Sequence, residues 1–298
     1  MLKKTLLALV VMFVAFDADA QHFEERTAEE TGIHFKNDLI LSEDERYERK
    51  SYPFEGGVAA GDVNNDGLVD LYFSAATGND RLYLNQGNLK FKDITFGSGI
   101  KVSQNDKSRG VVMMDVNQDG WLDIYVCKAN AANLLFINNG EGGFLEKASE
   151  YGLDDRGNSV SAVFFDFDKD RDLDVLIANF DRDTKLYLNS GQGHFSDITQ
   201  EANITDQDFT TGIYTADFNG DDWEDILISR FNLSENQILI NNRNGTFSEQ
   251  PELFHSSPYT YSTSMSIADI NGDGQLDFFA PGVVTEPVSY THLTLPTN

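Results

Sequence analysis

The sequence contains a single cysteine, Cys127, so no intrachain disulfide can form and something other than a covalent cross-link must hold the fold. That cysteine sits in the apolar run "DIYVCKA", where it reads as a small buried residue rather than a catalytic thiol. Basic residues are scarce: 22 Lys and Arg stand against 49 Asp and Glu, a formal charge of −27 over 298 residues. This deficit argues against nucleic acid and anionic lipid as partners, since both need a basic face, and makes cations the natural counter-charge. Long hydrophobic runs are missing too. The apolar stretch at residues 6–16 falls well short of the ~20 residues that span a bilayer. It follows Lys3 and Lys4 and precedes Ala18-Asp19-Ala20, the pattern of a cleavable secretory signal, and no Cys follows it to carry a lipid anchor. Residues 1–20 are therefore expected to be removed, leaving a secreted, cell-surface or periplasmic protein with no membrane insertion. None of the 5 histidines lies in a metal-ligand spacing, and GxSxG and HExxH are absent.

What is present is apolar material for a large core, 40% hydrophobic and 12% aromatic, arranged as a repeat. The stretch "DVNNDGLVD" from Asp62 recurs as "DVNQDGWLD" from Asp115, "DFDKDRDLD" from Asp166, "DFNGDDWED" from Asp217 and "DINGDGQLD" from Asp269, at spacings of 53, 51, 51 and 52 residues. A second motif keeps step: "LYLNQGNLKF", "LFINNGEGGF", "LYLNSGQGHF" and "ILINNRNGTF". Its Asn85, Asn138, Asn189 and Asn241 lie 23 or 24 residues after the first Asp of each loop, with a Phe six further on. The first unit offers four strand-type segments, "GVAAGDV", "LVDLYFSAA", "RLYLNQG" and "KFKDIT", separated by Gly, Asn and Asp turns. Four strands in about 50 residues make one propeller blade, so the expected fold is an all-β propeller of four complete blades and a partial fifth, with about seven in the full-length protein. A helical array is the competing repeat architecture, yet no unit holds a long capped run of helical period.

Residues 21–55 form an N-terminal segment, residues 56–284 the repeats, and residues 285–298 a tail that fits no repeat position and is expected to be an artefact of truncation. Phe23 to Ile33, "FEERTAEETGI", matches the ends of the units, such as "FKDITFGSGI". It is expected to be an orphan fourth strand that closes the last blade.

Alternating Asp and Asn in a tight turn direct several oxygens to one centre, and Ca²⁺ takes about 6–8 oxygen ligands. The candidate ligands are Asp62, Asn64, Asp66 and Asp70; Asp115, Asn117, Asp119 and Asp123; Asp166, Asp168, Asp170 and Asp174; Asp217, Asn219, Asp221 and Asp225; Asp269, Asn271, Asp273 and Asp277. The seventh place can give its backbone carbonyl. A helical calcium switch needs Glu at the twelfth place, which here holds Phe73, Val126, Ile177, Ile228 and Ala280. The loops are therefore expected to join two strands. Gly67, Gly120 and Gly274 occupy the sixth place, where positive φ is expected, while Arg171 and Asp222 stand there in the third and fourth loops. The first, second and fifth loops accordingly rank as the surest sites. Mg²⁺ is the weaker candidate because it demands strict octahedral geometry.

The paired motifs "GDVNNDGLVDLYF" and "LYLNQGNLKFKDIT", with their copies, resemble the FG-GAP/VCBS repeats of integrin-α propellers and exported bacterial proteins. The wording is nearest the ASPIC/UnbV, cartilage acidic protein-like group. The resemblance implies calcium in the turn between the first and second strands, and a ligand face on the opposite side. That face would be built from "ATGND", "KANAAN", "FDRDT" and "FNLSEN" and from the turns between blades, "VSQNDKSR", "DDRGNS", "TDQDF" and "HSSPYTYS". The function this implies is a calcium-stabilised binding or adhesion module for an extracellular protein or glycan. A propeller-scaffold enzyme acting on polysaccharide, or an accessory domain of a larger enzyme, is the competing reading.

Overall fold

The computed structural model describes residues 24–37, 56–101, 107–191, 193–205, 209–230, 236–251, 261–262, 265–279, 282–283 and 292–294. The secretory signal lies outside the described residues. Among the described residues no helix is long and apolar enough to cross a membrane.

Four antiparallel four-stranded sheets follow one another along the chain. The first contains β1 (Gly57–Gly61), β2 (Asp70–Ser74), β3 (Arg81–Asn85) and β4 (Phe91–Asp93). The second contains β5 (Ser108–Met114), β6 (Asp123–Lys128), β7 (Leu134–Asn138) and β8 (Phe144–Glu146). The third contains β9 (Ser159–Phe165), β10 (Asp174–Asn179), β11 (Lys185–Asn189) and β12 (Phe195–Asp197). The fourth contains β13 (Thr210–Ala216), β14 (Asp225–Arg230), β15 (Gln237–Asn241) and β16 (Phe247–Glu249). Each is a meander, and the first strands lie side by side, β1 against β5, β5 against β9 and β9 against β13, so that the sheets radiate as propeller blades.

A fifth unit follows with β17 (Tyr261–Ser262), β18 (Ser266–Ala268), β19 (Asp277–Phe279), β20 (Gly282–Val283) and β21 (His292–Thr294). β18, β19 and β21 form a three-stranded sheet, and β17 pairs with β20. The tail segment β21 thus takes the place of a third strand, with Phe278 opposite Leu293.

Packing explains the apolar runs. Each of the four hydrophobic clusters fills a seam between consecutive blades, as sheets do when they stack face to face. The second strands are therefore covered on both faces, and β6 and β10 are buried at every residue, which is why "DIYVCK" and "DVLIAN" do not alternate. Cys127 is fully buried in β6, and burial holds its thiol well above its ordinary pKa. Side chains on the rim opposite the acidic loops also latch the seams. Asp80, Asn133 and Thr184, each just ahead of a third strand, reach Ser108, Ser159 and Thr210 of the next blade at 2.9, 2.9 and 3.3 Å.

Residues 24–27 form no strand, because among the described residues no third strand lies beside them to receive their hydrogen bonds. The one-turn helix α1 (Ala28–Thr31) follows, capped reciprocally by Thr27 and Glu30, and ends at Gly32 with φ 81°. A Cβ at Gly32 would lie 2.4 Å from the Phe91 carbonyl oxygen. Gly99 stands in the same relation to Phe144 and Gly152 to Phe195, so this segment docks on the first blade as each linker docks on the next.

Leu176, at the centre of the seam between the third and fourth blades, is fully buried, whereas Val58 is 59% exposed. Leu176→Ala is expected to lower unfolding free energy by roughly 2–5 kcal/mol, and Val58→Ala to change it by less than about 0.5 kcal/mol, in urea melts.

Candidate metal loops

In every unit the acidic loop joins the first strand to the second, and the ninth-place Asp opens the second strand. Asp70, Asp123, Asp174 and Asp225 are completely buried. Each uses both carboxylate oxygens to hold backbone. Oδ2 of Asp123 accepts the N–H of Val116 at 3.1 Å, and Oδ1 accepts the N–H of Asn138, at the end of the third strand, at 2.8 Å. The same pairs recur for Asp70 with Val63 and Asn85, for Asp174 with Phe167 and Asn189, and for Asp225 with Phe218 and Asn241. Asp277 holds Ile270 at 3.0 Å.

Burial pushes these carboxyls above their ordinary range, against the pull of the two N–H donors and with the help of neighbouring carboxylates. Asp70 is raised, Asp123 and Asp174 rise to about 7, and Asp225 to about 6. A cation at the loop favours their ionised form.

The asparagine of the second motif completes this junction. Asn138 Nδ2 donates to the Leu122 carbonyl at 3.1 Å and to Val63 of the preceding blade at 2.8 Å, while its Oδ1 accepts the Gly140 N–H. Asn241 does the same with Glu224 and with Phe167 of the third blade. Neither role was assigned from the sequence, although the fixed spacing of this Asn after each loop was its visible signal.

The remaining candidate ligands are ordered by the loop backbone. Asp62, Asp115, Asp217 and Asp269 take the fifth-place N–H on Oδ1 at 3.0–3.1 Å and the sixth-place N–H on Oδ2 at 2.7–2.9 Å. Asn64, Asn117 and Asn271 each accept the fifth-place N–H, and Asp66, Asp119, Asp221 and Asp273 the seventh-place N–H. Asn64, Asn117 and Asn219 each donate Nδ2 to the fifth-place Asp at 3.0 Å. Where a single N–H reaches such a carboxylate oxygen, a second lone pair is left for a cation, whereas Oδ1 of Asp217 and of Asp269 also accepts the fourth-place N–H, of Gly220 and Gly272, at 2.7 Å.

The sixth place is left-handed in all five loops, including Arg171 at φ 80° and Asp222 at φ 68°. The fourth place is left-handed as well, at Asn65, Gln118, Lys169, Gly220 and Gly272. That second requirement went unread in the sequence. The fourth-place side chains bridge blades: Asn65 Nδ2 donates to the Gly120 carbonyl at 3.0 Å and Gln118 Nε2 to Asp172 at 2.6 Å, while Lys169 Nζ lies 4.9 Å from the Trp223 ring centre.

The third loop differs. Asp166, Asp168 and Asp174 bring carboxylate oxygens within 4.8 Å of one another, the one such group of three among the described residues. It arises because the third place is Asp168 where the other loops carry Asn. The fifth-place N–H here goes to Asp168 rather than to Asp166, so Oδ1 of Asp166 is buried with no hydrogen-bond partner. A buried, unpartnered carboxylate oxygen facing two other carboxylates fits a hard cation. Burial and the adjoining Asp170 and Asp166 raise the Asp168 carboxyl. Asp170 accepts the Asp172 N–H at 2.9 Å and is not part of the group.

On the opposite rim, "DDRGNS" and "FDRDT" flank a cavity of about 340 Å³ lined by Asp154, Asp155, Arg156, Arg182, Lys185 and Tyr187 among others. Asp155 is its framework, binding the Gly157 N–H, Asn179, Tyr187 and Lys185 at 3.1–3.3 Å. Arg156 and Arg182 are exposed and have no hydrogen-bond or ion-pair partner among the described residues. The turns "VSQNDKSR", "TDQDF", "FNLSEN" and "HSSPYTYS" lie partly outside the described residues.

Strand order, the acidic turn between the first two strands and its recurrence define a propeller built of acidic-loop blades. The FG-GAP-like repeat matches residues 62–126, 115–177, 166–228 and 223–280, and the chain belongs to that family. It is 28% identical over 232 residues to cartilage acidic protein 1 of Mus musculus, covering 74% of this chain and 34% of the relative. The Homo sapiens protein is likewise 28% identical over 232 residues, with 33% of it covered, so the chain spans about a third of the length of these curated relatives. Among solved structures, a lectin of Agrocybe aegerita described for specific recognition of non-reducing terminal N-acetylglucosamine aligns at 20% identity. Its TM-score is 0.49, over 76% of this chain and 60% of that one. The V. cholerae biofilm matrix protein Bap1 aligns at 14% identity and a TM-score of 0.43, over 77% and 35%.

A Cβ at Gly67, Gly120 or Gly274 would meet no atom within 4 Å, so the need for glycine at the sixth place is conformational only. Arg171→Gly is expected to stabilise the metal-free chain by about 0.5–1 kcal/mol, the left-handed penalty relieved less the added freedom of the unfolded chain, in denaturant melts with chelator.

Proposed function

We propose that the chain is a secreted, calcium-stabilised propeller that acts as a binding or adhesion module for an extracellular protein or glycan. The observation that carries the calcium part is the third loop, where a buried Asp166 oxygen without a protein donor faces Asp168 and Asp174. The ligand positions hold sixteen aspartates, and each Ca²⁺ bound would offset two of the chain's 27 net negative charges. Crowded carboxylates repel one another, so an ion that binds only the folded state stabilises it by mass action. The residues that hold the ion are the first-, third-, fifth- and ninth-place side chains with the seventh-place carbonyl, and its role is to cross-link the first two strands of a blade.

Partner binding belongs on the other rim. The turns there differ from blade to blade on a rigid scaffold, and the cavity beside Arg156 and Arg182 offers a polar ligand two exposed guanidinium groups without a partner among the described residues. The N-terminal pattern at residues 1–20 supports export.

Chelation at low salt is expected to lower the melting temperature and added Ca²⁺ to restore it, while Asp66→Ala removes about one calcium per chain by direct metal analysis. An unchanged melt and undiminished metal content overturn the calcium part. A glycan and protein array probed with the unaltered chain and with Arg182→Ala tests the module. Loss of a captured ligand in the variant supports this rim, and equal capture places the ligand elsewhere.

A further inference from the structure

Two residues after the junction asparagine, the first three blades carry Gly87, Gly140 and Gly191, all left-handed, and each N–H closes on the asparagine Oδ1. This position faces the acidic loop: a Cβ at Gly140 would lie 2.9 Å from the Trp121 ring nitrogen, and one at Gly191 would lie 2.6 Å from the Asp172 carboxylate. The fourth blade keeps the left-handed backbone, φ 60°, but places Arg243 there. An arginine in that conformation is strained. Its side chain reaches into the fourth loop, where Nε and Nη2 both donate to Oδ2 of Asp221, at 3.0 and 2.6 Å.

Lone-pair count then limits what this loop can offer a metal. Oδ2 of Asp221 receives both of these guanidinium N–H groups and also Nδ2 of Asn219 at 3.0 Å. The equivalent oxygens of Asp66 and Asp119 receive only the asparagine amide, at 3.0 Å in each case. Three donors exhaust a carboxylate oxygen, so Asp221 has nothing left on that side to offer an ion. A fixed positive charge at the loop also raises the electrostatic cost of bringing a dication beside it.

We infer that in the fourth blade the Arg243 guanidinium stands in for the metal ion, so that Asp217, Asn219, Asp221 and Asp225 form a loop closed by an internal cation. This rests on the calcium reading of the other loops. The fourth loop does not fit the ion its family implies, whereas the third, which carries Gly191 at the position equivalent to Arg243, does.

The test is the number of calcium ions bound per chain, by equilibrium dialysis and metal analysis at a free Ca²⁺ that saturates the unaltered protein. Arg243→Gly restores the glycine of the other blades and is expected to add about one ion per chain. Asp221→Asn is expected to leave the count of the unaltered chain unchanged and to remove the extra ion from the Arg243→Gly chain. If Asp221→Asn lowers the count of the unaltered chain, or Arg243→Gly leaves it unchanged, the inference is overturned. Asp66→Ala separates the two claims: if it lowers the count by about one, the calcium reading stands whatever the fourth loop does. If no form binds calcium, the calcium reading and this inference fall together.

Discussion

The structure depends on a carboxylate that is buried in order to hold backbone. In each of the first four blades the ninth-place Asp ties the start of its own loop to the end of the third strand, so three segments meet at one side chain. Burying a charged group is expensive unless it is hydrogen-bonded; here each carboxylate oxygen accepts one backbone N–H. The junction asparagine extends this tie to the preceding blade in the second and fourth units. A chain with a single cysteine is thereby cross-linked without disulfides.

The two rims divide the work. The acidic rim is the more regular: every loop repeats the same left-handed places, the third and fourth depart from the rest in their hydrogen bonds, and neighbouring loops lean on one another through Asn65 and Gln118. The opposite rim is bolted just as firmly below its surface by Asp80, Asn133 and Thr184, but its turns vary. Rigidity beneath a variable surface is what a binding scaffold requires, since ordering costs are then met before a partner arrives.

The repeat made the fold legible. The strand–loop–strand order, the failed twelfth place and the step of the asparagine motif each follow from residue type and spacing, and the sheets carry them in that order. Less was legible at the loops. The spacing identified the ligand positions but not that the ninth Asp has two backbone donors, because hydrogen-bond partners 7 and 15 residues apart meet only once the strands pair. Sixth-place glycine was read as the mark of a good site. Arg171 nonetheless adopts the same φ, and the exchange of Asn for Asp168 gathers three carboxylates in that loop. Arg243 was invisible as a loop residue, since it lies 22 positions from Asp221.

The central claim, that the buried ninth-place carboxylate pins loop and third strand together, is tested most directly by native-state amide hydrogen exchange at Val116 and Asn138 in the unaltered chain and in Asp123→Ala. The account predicts that both amides exchange slowly in the unaltered chain and that both are strongly accelerated in the variant, while amides in the third blade keep their protection. Fast exchange at both amides in the unaltered chain, or equal protection in the variant, would contradict it.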